Sequence, residues 1–294
     1  VKYTSVLTQW IIDGLVVRYP FLSAGVIGKS VMGKDIHSLW IGTGEKQVFY
    51  SASYHANESI TTPVLLTFAE EYAAAYAAGG NIVFSSAVRE EHSGQTGMGQ
   101  EFVDARTLFD EYRLCMVPLV NPDGVDLVNG LLNSGIYYRR ARQIADDYPA
   151  IPFPDGWKAN IDGVDLNLQF PAGWEMAKQI KFSQGYDKPA PRDFVGEAPL
   201  TAPESVAVYE LTKENDFLLI LAYHTQGEVI YWKYLDYEPA RSKEIADYFA
   251  SVSGYAVEET PSASGYAGYK DWFIEEYDRP GYTIEAGMGE NPLP

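Results

Sequence analysis

One cysteine, Cys115 in RLCMVPLV, is all the thiol chemistry in this chain, so no internal disulfide and no multi-cysteine metal site can brace it. Its apolar flanks mark it as a buried structural residue. Positive charge is also scarce: 22 Lys and Arg stand against 40 Asp and Glu, for a net charge of −18. That balance disfavours nucleic acid as a partner, because phosphate binding draws on clustered cations. An acidic surface fits solubility and a cationic substrate group instead. No apolar run reaches the roughly 20 residues of a membrane-spanning helix. No charged-then-apolar leader stands at the N-terminus, and the chain opens at Val1 without an initiator methionine, as a processed chain does.

What the chain has is length and apolar content. At 294 residues and 46% hydrophobic, it can bury one large core, so a single α/β domain is expected over residues 1–294. TSVLTQWIIDGLVVRYP spaces its apolar residues at helical intervals and stops at Pro20. AGVIGKS and DIHSLWIG read as strands joined by the MGK turn, with His37 at a surface or edge, and KQVFYSASY reads as a third strand running into His55. A helix is expected over Thr61 to Ala78, closed by Gly79-Gly80. Ser85 to Gly99 reads as a polar loop containing His92, followed by a helix to about Asp110 and the strand YRLCMVPLV. NPDGV reads as a turn, and residues 130 to 200 as long loops around GVDLNLQF. DFLLILAYHTQ is a buried strand carrying His224. VIYW, helices near 239–253 and 269–277, and the strand GYTIEAG follow. Strands alternating with helices imply a mixed, largely parallel sheet covered on both faces, with ligands bound at its carboxyl edge.

Two of the four histidines, His55 and His224, stand at the ends of such strands. His55 and Glu58 in YHANESITTP, with His224, give a metal two imidazoles and a carboxylate and leave a fourth position open. That is the ligand pattern of a catalytic zinc site rather than a structural one. Glu285 in YTIEAG adds a carboxylate that can serve as general base to a metal-bound water. The set reads as a zinc-dependent hydrolase.

HANESITTP, VNPDGVDLV, GVDLNLQFPAGWE, YHTQGEVIYW and TIEAGMGENPLP, in this order, make the chain resemble the zinc carboxypeptidase family. The likeness is to its bacterial branch, which includes γ-D-glutamyl-L-diamino acid endopeptidases. The resemblance implies an eight-stranded mixed sheet, one zinc ion held by His55, Glu58 and His224, and Glu285 as general base. It implies that Asp165 orients the first histidine and that Asn167 contacts substrate. It also matches Arg139, in YYRRARQ, to the arginine that stabilises the transition state, with Arg140, Arg142 and Lys158 as competitors.

Departures from the family pattern shape the substrate reading. Carboxypeptidases carry an arginine at Leu168 that clamps the substrate's terminal carboxylate, and a mobile tyrosine at Pro261. Tyr255, Tyr266 and Tyr269 are candidate replacements for that phenol. Family members continue past TIEAG into a helix that packs on the sheet, whereas this sequence stops at ENPLP. Either the chain is shortened there, or a face of the sheet lacks its cover and a partner or another copy supplies it. The favoured function is hydrolysis of the γ-D-glutamyl bond to meso-diaminopimelate or L-lysine in peptidoglycan stem peptides. A metallocarboxypeptidase and a non-catalytic wall-peptide binding protein are the alternatives. The acidic group Glu258, Glu259, Glu275, Glu276 and Asp278 is a candidate for attracting a diamino acid's ammonium. Either a wall-facing or a cytoplasmic location suits such a substrate, and the oligomeric state is open.

Overall fold

The computed structural model describes residues 1–89 and 96–294. The first helix, α1 (Ser5–Arg18), starts where the Thr4 hydroxyl accepts from Leu7 N at 3.3 Å. The strands β1 (Ser23–Lys29) and β2 (Asp35–Ile41) form an antiparallel pair. The strand β3 (Lys46–Ala52) then leads through a 3₁₀ turn at Ala56–Glu58 into α2 (Thr61–Ala78). Gly79 ends α2 at φ 63°, a left-handed conformation that glycine adopts without a Cβ penalty.

Two antiparallel strands, β4 (Asn81–Arg89) and β5 (Thr96–Asp104), take up the described residues of the stretch expected to be a polar loop over Ser85 to Gly99. His92 lies outside the described residues. After α3 (Ala105–Glu111) and β6 (Tyr112–Val117), the NPDGV segment opens a helix, α4 (Pro122–Val128), rather than a free turn. Asn121 caps it by accepting from Gly124 N at 3.0 Å, and Pro122 sits in the first turn, where its missing N–H costs nothing. The supposed loops of residues 130–200 contain α5 (Gly135–Asp146) and α6 (Trp174–Ser183). The remaining elements are α7 (Pro203–Glu214), β7 (Phe217–His224), β8 (Val229–Tyr231), α8 (Ser242–Ser253), β9 (Ala256–Glu258), α9 (Tyr269–Tyr277) and β10 (Gly281–Glu285). Among the described residues, no helix is long and apolar enough to cross a membrane.

Eight strands form one sheet in the order β1-β2-β6-β3-β7-β10-β8-β9, with β6, β3, β7 and β10 mutually parallel at its centre. His37 is half-buried on β2, one strand in from the edge. Both faces are covered, as the near-continuous apolar central strands require. On one face Phe49, Phe217 and Ile220 pack with Tyr269, Trp272 and Phe273 of α9, and Phe49 stacks on Phe217 at 5.1 Å. On the other, Leu114 and Met116 meet Ile12 and Leu15 of α1 and Leu66 and Tyr72 of α2. Each such large side chain contributes about 1.5–3 kcal/mol on burial. Cys115 is fully buried on β6 and burial pushes its thiol pKa well up, so it is a core residue and not a reactive one.

Candidate metal centre

The central parallel strands all point their carboxyl ends at one edge of the sheet, and three adjacent strand ends build the site. β3 hands the chain to Ser53, whose N–H and hydroxyl both engage Thr61 Oγ1 at 3.0 Å. That turn fixes His55, and the 3₁₀ turn after it brings Glu58 onto the same side, with Glu58 N donating to His55 O at 3.1 Å. β7 delivers His224, and β10 places Glu285 directly beside it in register.

The donor atoms converge. His55 Nδ1 lies 3.0 Å from Glu58 Oε1, His224 Nδ1 lies 3.0 Å from Glu58 Oε2, and the two Nδ1 atoms are 3.2 Å apart. If each Nδ1 donated to its own Glu58 oxygen, the two Nδ1–H groups would face each other at 3.2 Å with no acceptor between them, whereas a cation at the centre suits all three sides of the triangle. Ligands about 2.0–2.1 Å from a tetrahedral zinc stand about 3.3 Å from one another, which is nearly the spacing here. All three residues are buried, and their ligand atoms lie within 4.8 Å of one another. The electrostatics favour a cation. Burial opposes an imidazolium at His55, yet Glu58 and Asp165 outweigh it and carry the pKa up to about 9. Burial likewise opposes an ionised Glu58, but His55 and Lys158 hold it well below the ordinary carboxylate range.

Asp165 lies where a histidine-orienting carboxylate should. Its Oδ1 is 3.0 Å from His55 Nε2 and also accepts from Asn167 N, while Oδ2 accepts from Asp193 N at 3.1 Å. Fixing the proton on His55 Nε2 leaves Nδ1 with a lone pair for metal. His224 is oriented differently: its ring stacks on Tyr54 at 5.5 Å, and its Nε2 finds no partner among the described residues.

The cleft beside these groups has two lobes, of about 190 and 600 Å³, that share Lys158, Arg192, Tyr231 and Glu285. Burial, and then Glu58, raise the Glu285 carboxyl pKa against the pull of His224 and Lys158. Asn167 lines the smaller lobe and accepts from Tyr269 N at 3.0 Å, so its amide is positioned from behind.

Arg139 is not in the site. It is exposed on α5, away from the residues that line the cleft, and Arg140 and Arg142 pair with Asp162 and Asp146. The cation at the centre is Lys158, with Nζ 2.9 Å from Glu58 Oε1. Its backbone is pinned by Ala56 N and Pro191 O, so the GWKAN segment is tied to the histidine turn itself. Helix α5 carries its basic residues on a solvent face, and residue type alone does not reveal which face looks inward.

Leu168 is buried among Trp174, Ala177, Val195 and Ala267, and Pro261 lines the cleft, so neither supplies a polar group. Tyr269 is wholly buried against Thr212, Tyr266 packs on Tyr234, and Tyr255 bonds the Gly287 N–H; none of them lines either lobe. The phenol that does is Tyr231, on β8 beside β10. Sequence reasoning missed it, along with Arg192, Asp193, Lys270 and Asp271. The strand alternation in VIYW and a lysine between Tyr269 and Trp272 were the available signals. The acidic group is solvated: Glu258, Glu275, Glu276 and Asp278 are exposed, and Glu259 pairs with Lys233 at 2.8 Å.

Comparison with known proteins agrees with this geometry. The chain is 44% identical over 285 residues to γ-D-glutamyl-L-diamino acid endopeptidase 1 of Lysinibacillus sphaericus, covering 96% of this chain and 65%, just under two thirds, of that protein. It is 42% identical over 280 residues to the uncharacterized protein YqgT of Bacillus subtilis (strain 168), covering 94% and 68% of the two chains. Carboxypeptidase A from Helicoverpa armigera superposes with a TM-score of 0.68 at 20% identity, over 98% of this chain and 65% of that one, which is a likeness of fold. The zinc carboxypeptidase family model matches residues 8–291, nearly the whole length, and the chain belongs to that family.

Proposed function

We propose that this chain is a zinc peptidase that hydrolyses the γ-D-glutamyl bond to a diamino acid, meso-diaminopimelate or L-lysine, in peptidoglycan stem peptides. The observation that carries the reading is a complete metallopeptidase centre set beside Leu168. The ligand triangle, base and cation are together, while the position where carboxypeptidases clamp a terminal carboxylate is apolar. The 44% identity to an endopeptidase named for this bond supports it.

His55, Glu58 and His224 would hold one zinc ion, which would supply Lewis-acid chemistry to the scissile carbonyl and to the attacking water. Glu285 takes one proton from the attacking water and delivers it to the leaving amine of the diamino acid, so the carboxylate is regenerated at each turnover. Lys158, with its ammonium on the metal side of the cleft, donates to the oxyanion that develops on the carbonyl. Asp165 keeps the His55 lone pair on Nδ1 throughout, and Asn167 offers an amide to the bound peptide.

Mass spectrometry of products from L-Ala-γ-D-Glu-meso-diaminopimelate and its D-Ala-extended form tests the reading. Wild type is expected to release L-Ala-D-Glu, and Glu285→Gln and chelator-treated protein are not. Release of terminal D-Ala alone overturns it in favour of a metallocarboxypeptidase. Stoichiometric binding without turnover overturns it in favour of a binding protein.

A further inference from the structure

Resting on that reading of the substrate, we propose that Arg192 anchors the free α-carboxylate of the γ-D-glutamyl residue, on the acyl side of the scissile bond. Through it the cleft accepts a γ-linked glutamate and disfavours one whose α-carboxyl is amidated.

A γ-linked glutamate carries a group that an α-linked residue lacks. Its side-chain carboxyl forms the scissile bond, so its α-carboxylate stays ionised, about 5 Å from the scissile carbonyl when the intervening chain is extended. An anion held that close to Glu285 and to the developing oxyanion needs a cation of its own. The acyl half runs on from D-Glu to L-Ala and beyond, and the lobe of about 600 Å³ has the room for it. Among the described residues that line this lobe, Lys158 and Arg192 are the basic ones. Both also line the smaller lobe, so they stand at the neck where the two halves of the substrate join. Lys158 is engaged on the metal side, with Nζ 2.9 Å from Glu58 Oε1. Arg192 is the cation left for the acyl residue.

The setting of Arg192 suits a carboxylate. Its Nε donates to Asp193 Oδ2 at 2.6 Å, which fixes the plane of the guanidinium, while Nη1 and Nη2 have no acceptor among the described residues. Those two groups form the fork that grips a carboxylate through paired hydrogen bonds. The side chain is 43% exposed, so the fork opens into the cleft rather than into the core. The backbone behind it is tied on both sides to the metal centre. Pro191 O accepts from Lys158 N at 2.7 Å and from Ala159 N at 2.9 Å, and Asp193 N donates at 3.1 Å to Asp165 Oδ2, the carboxylate that orients His55. Asp193 makes that bond at φ 65°, a conformation that a non-glycine residue keeps where its surroundings impose it. A stability role does not explain Arg192. Asp193 already has the buried Lys181 ammonium at 2.6 Å, and an ion pair to so exposed a partner adds little.

The test measures kcat and KM for L-Ala-γ-D-Glu-meso-diaminopimelate and for the same peptide with its glutamyl α-carboxyl amidated, with wild type, Arg192→Met and Arg192→Lys. The amine half is identical in the two peptides, so a difference between them reads the acyl side alone. Wild type is expected to favour the acid by roughly 10- to 100-fold in kcat/KM, mainly through KM, as a charge-assisted hydrogen bond gives. In Arg192→Met the two peptides are expected to fall within about threefold of one another, because the acid loses the pair and the amide never had it. Arg192→Lys keeps the charge without the fork and is expected to fall between the other two proteins. Equal handling by wild type, or a preference that survives in Arg192→Met, overturns this inference and leaves the proposed function standing. Should Arg192→Met not fold, a preference in Arg192→Lys as strong as in wild type overturns it. An equal loss of kcat on both peptides in Arg192→Met also overturns it, since that makes Arg192 a donor to the oxyanion. Cleavage of neither peptide by wild type sinks both readings.

Discussion

At the scale of single residues, the metal ligands were legible because zinc chemistry dictates residue type, and because His224 ends an apolar strand while His55 and Glu58 closely follow another. Arg139 misled because YYRRARQ announces positive charge without saying where α5 faces, and the cation beside Glu58, Lys158, sits in a buried loop whose path only tertiary contacts fix. The two assignments separate cleanly. Arg139→Ala is expected to leave kcat/KM within about twofold, as surface changes do. Lys158→Met is expected to lower kcat by roughly 100- to 1,000-fold with little change in KM, the signature of a donor used mainly in the transition state. Steady-state kinetics on the diaminopimelate tripeptide decides, and a larger loss in the arginine variant reverses the assignment. Asp165 acts one step further from the chemistry, through His55. Asp165→Asn, with its oxygen in the Oδ1 place, keeps an acceptor for two of its three donors but loses the charge. Zinc affinity is expected to fall roughly 10- to 100-fold, measured by competition with a chromophoric chelator. Unchanged affinity removes Asp165 from the metal site.

At the scale of elements, strongly periodic segments were legible and those shaped by long-range contacts were not. The β7 and β10 strands and the α2 helix announce themselves through apolar runs and a Gly-Gly stop. NPDGV has the composition of a turn, but Asn121 uses the same side-chain acceptor to cap a helix, and only the burial of Val125, Leu127 and Val128 distinguishes the two. Helix α7 went unread because its first turn hides a buried carboxylate that no apolar pattern signals. Glu204 takes Val31 N at 3.2 Å and Asn160 Nδ2 at 3.1 Å, tying α7 to the segment after β1. Burial pushes its pKa up to about 7, against an ordinary value of 4.5. The folded state therefore holds this proton more tightly than the unfolded state. Stability from Glu204 is fully present below about pH 4.5 and is lost as pH rises toward 7. The 2.5-unit gap corresponds to about 3 kcal/mol. Chemical denaturation at pH 5 and pH 8 is expected to show wild type weakening with pH, and Glu204→Gln weakening by about 3 kcal/mol less. Parallel pH dependence in the two proteins rules out Glu204 as the source.

At the scale of the whole molecule, strand alternation and the carboxyl-edge rule were enough to expect a site at the centre of a mixed sheet, because parallel strands bring their ends together whatever the loops do. The metal then has a second consequence besides catalysis. Its ligands stand 166 and 169 residues apart across β3 and β7, and the unfolded chain offers no such triangle. Zinc bound to the folded state alone stabilises it by mass action, by about 4 kcal/mol where free metal exceeds the dissociation constant a thousandfold. For a chain of this size that corresponds to a rise in Tm on the order of 5–10 °C. Stripping zinc with a chelator is expected to lower Tm by that amount and readdition to restore it. The lone buried cysteine contributes nothing to this loss, since it cannot form an internal disulfide. Glu285→Gln, which leaves all three ligands in place, is expected to show the full zinc-dependent shift with no peptidase activity, whereas His224→Ala is expected to show neither. Calorimetric scans of the two variants with and without zinc separate a stabilising metal from a merely catalytic one, and an unshifted Tm in Glu285→Gln would place the carboxylate among the ligands rather than opposite them.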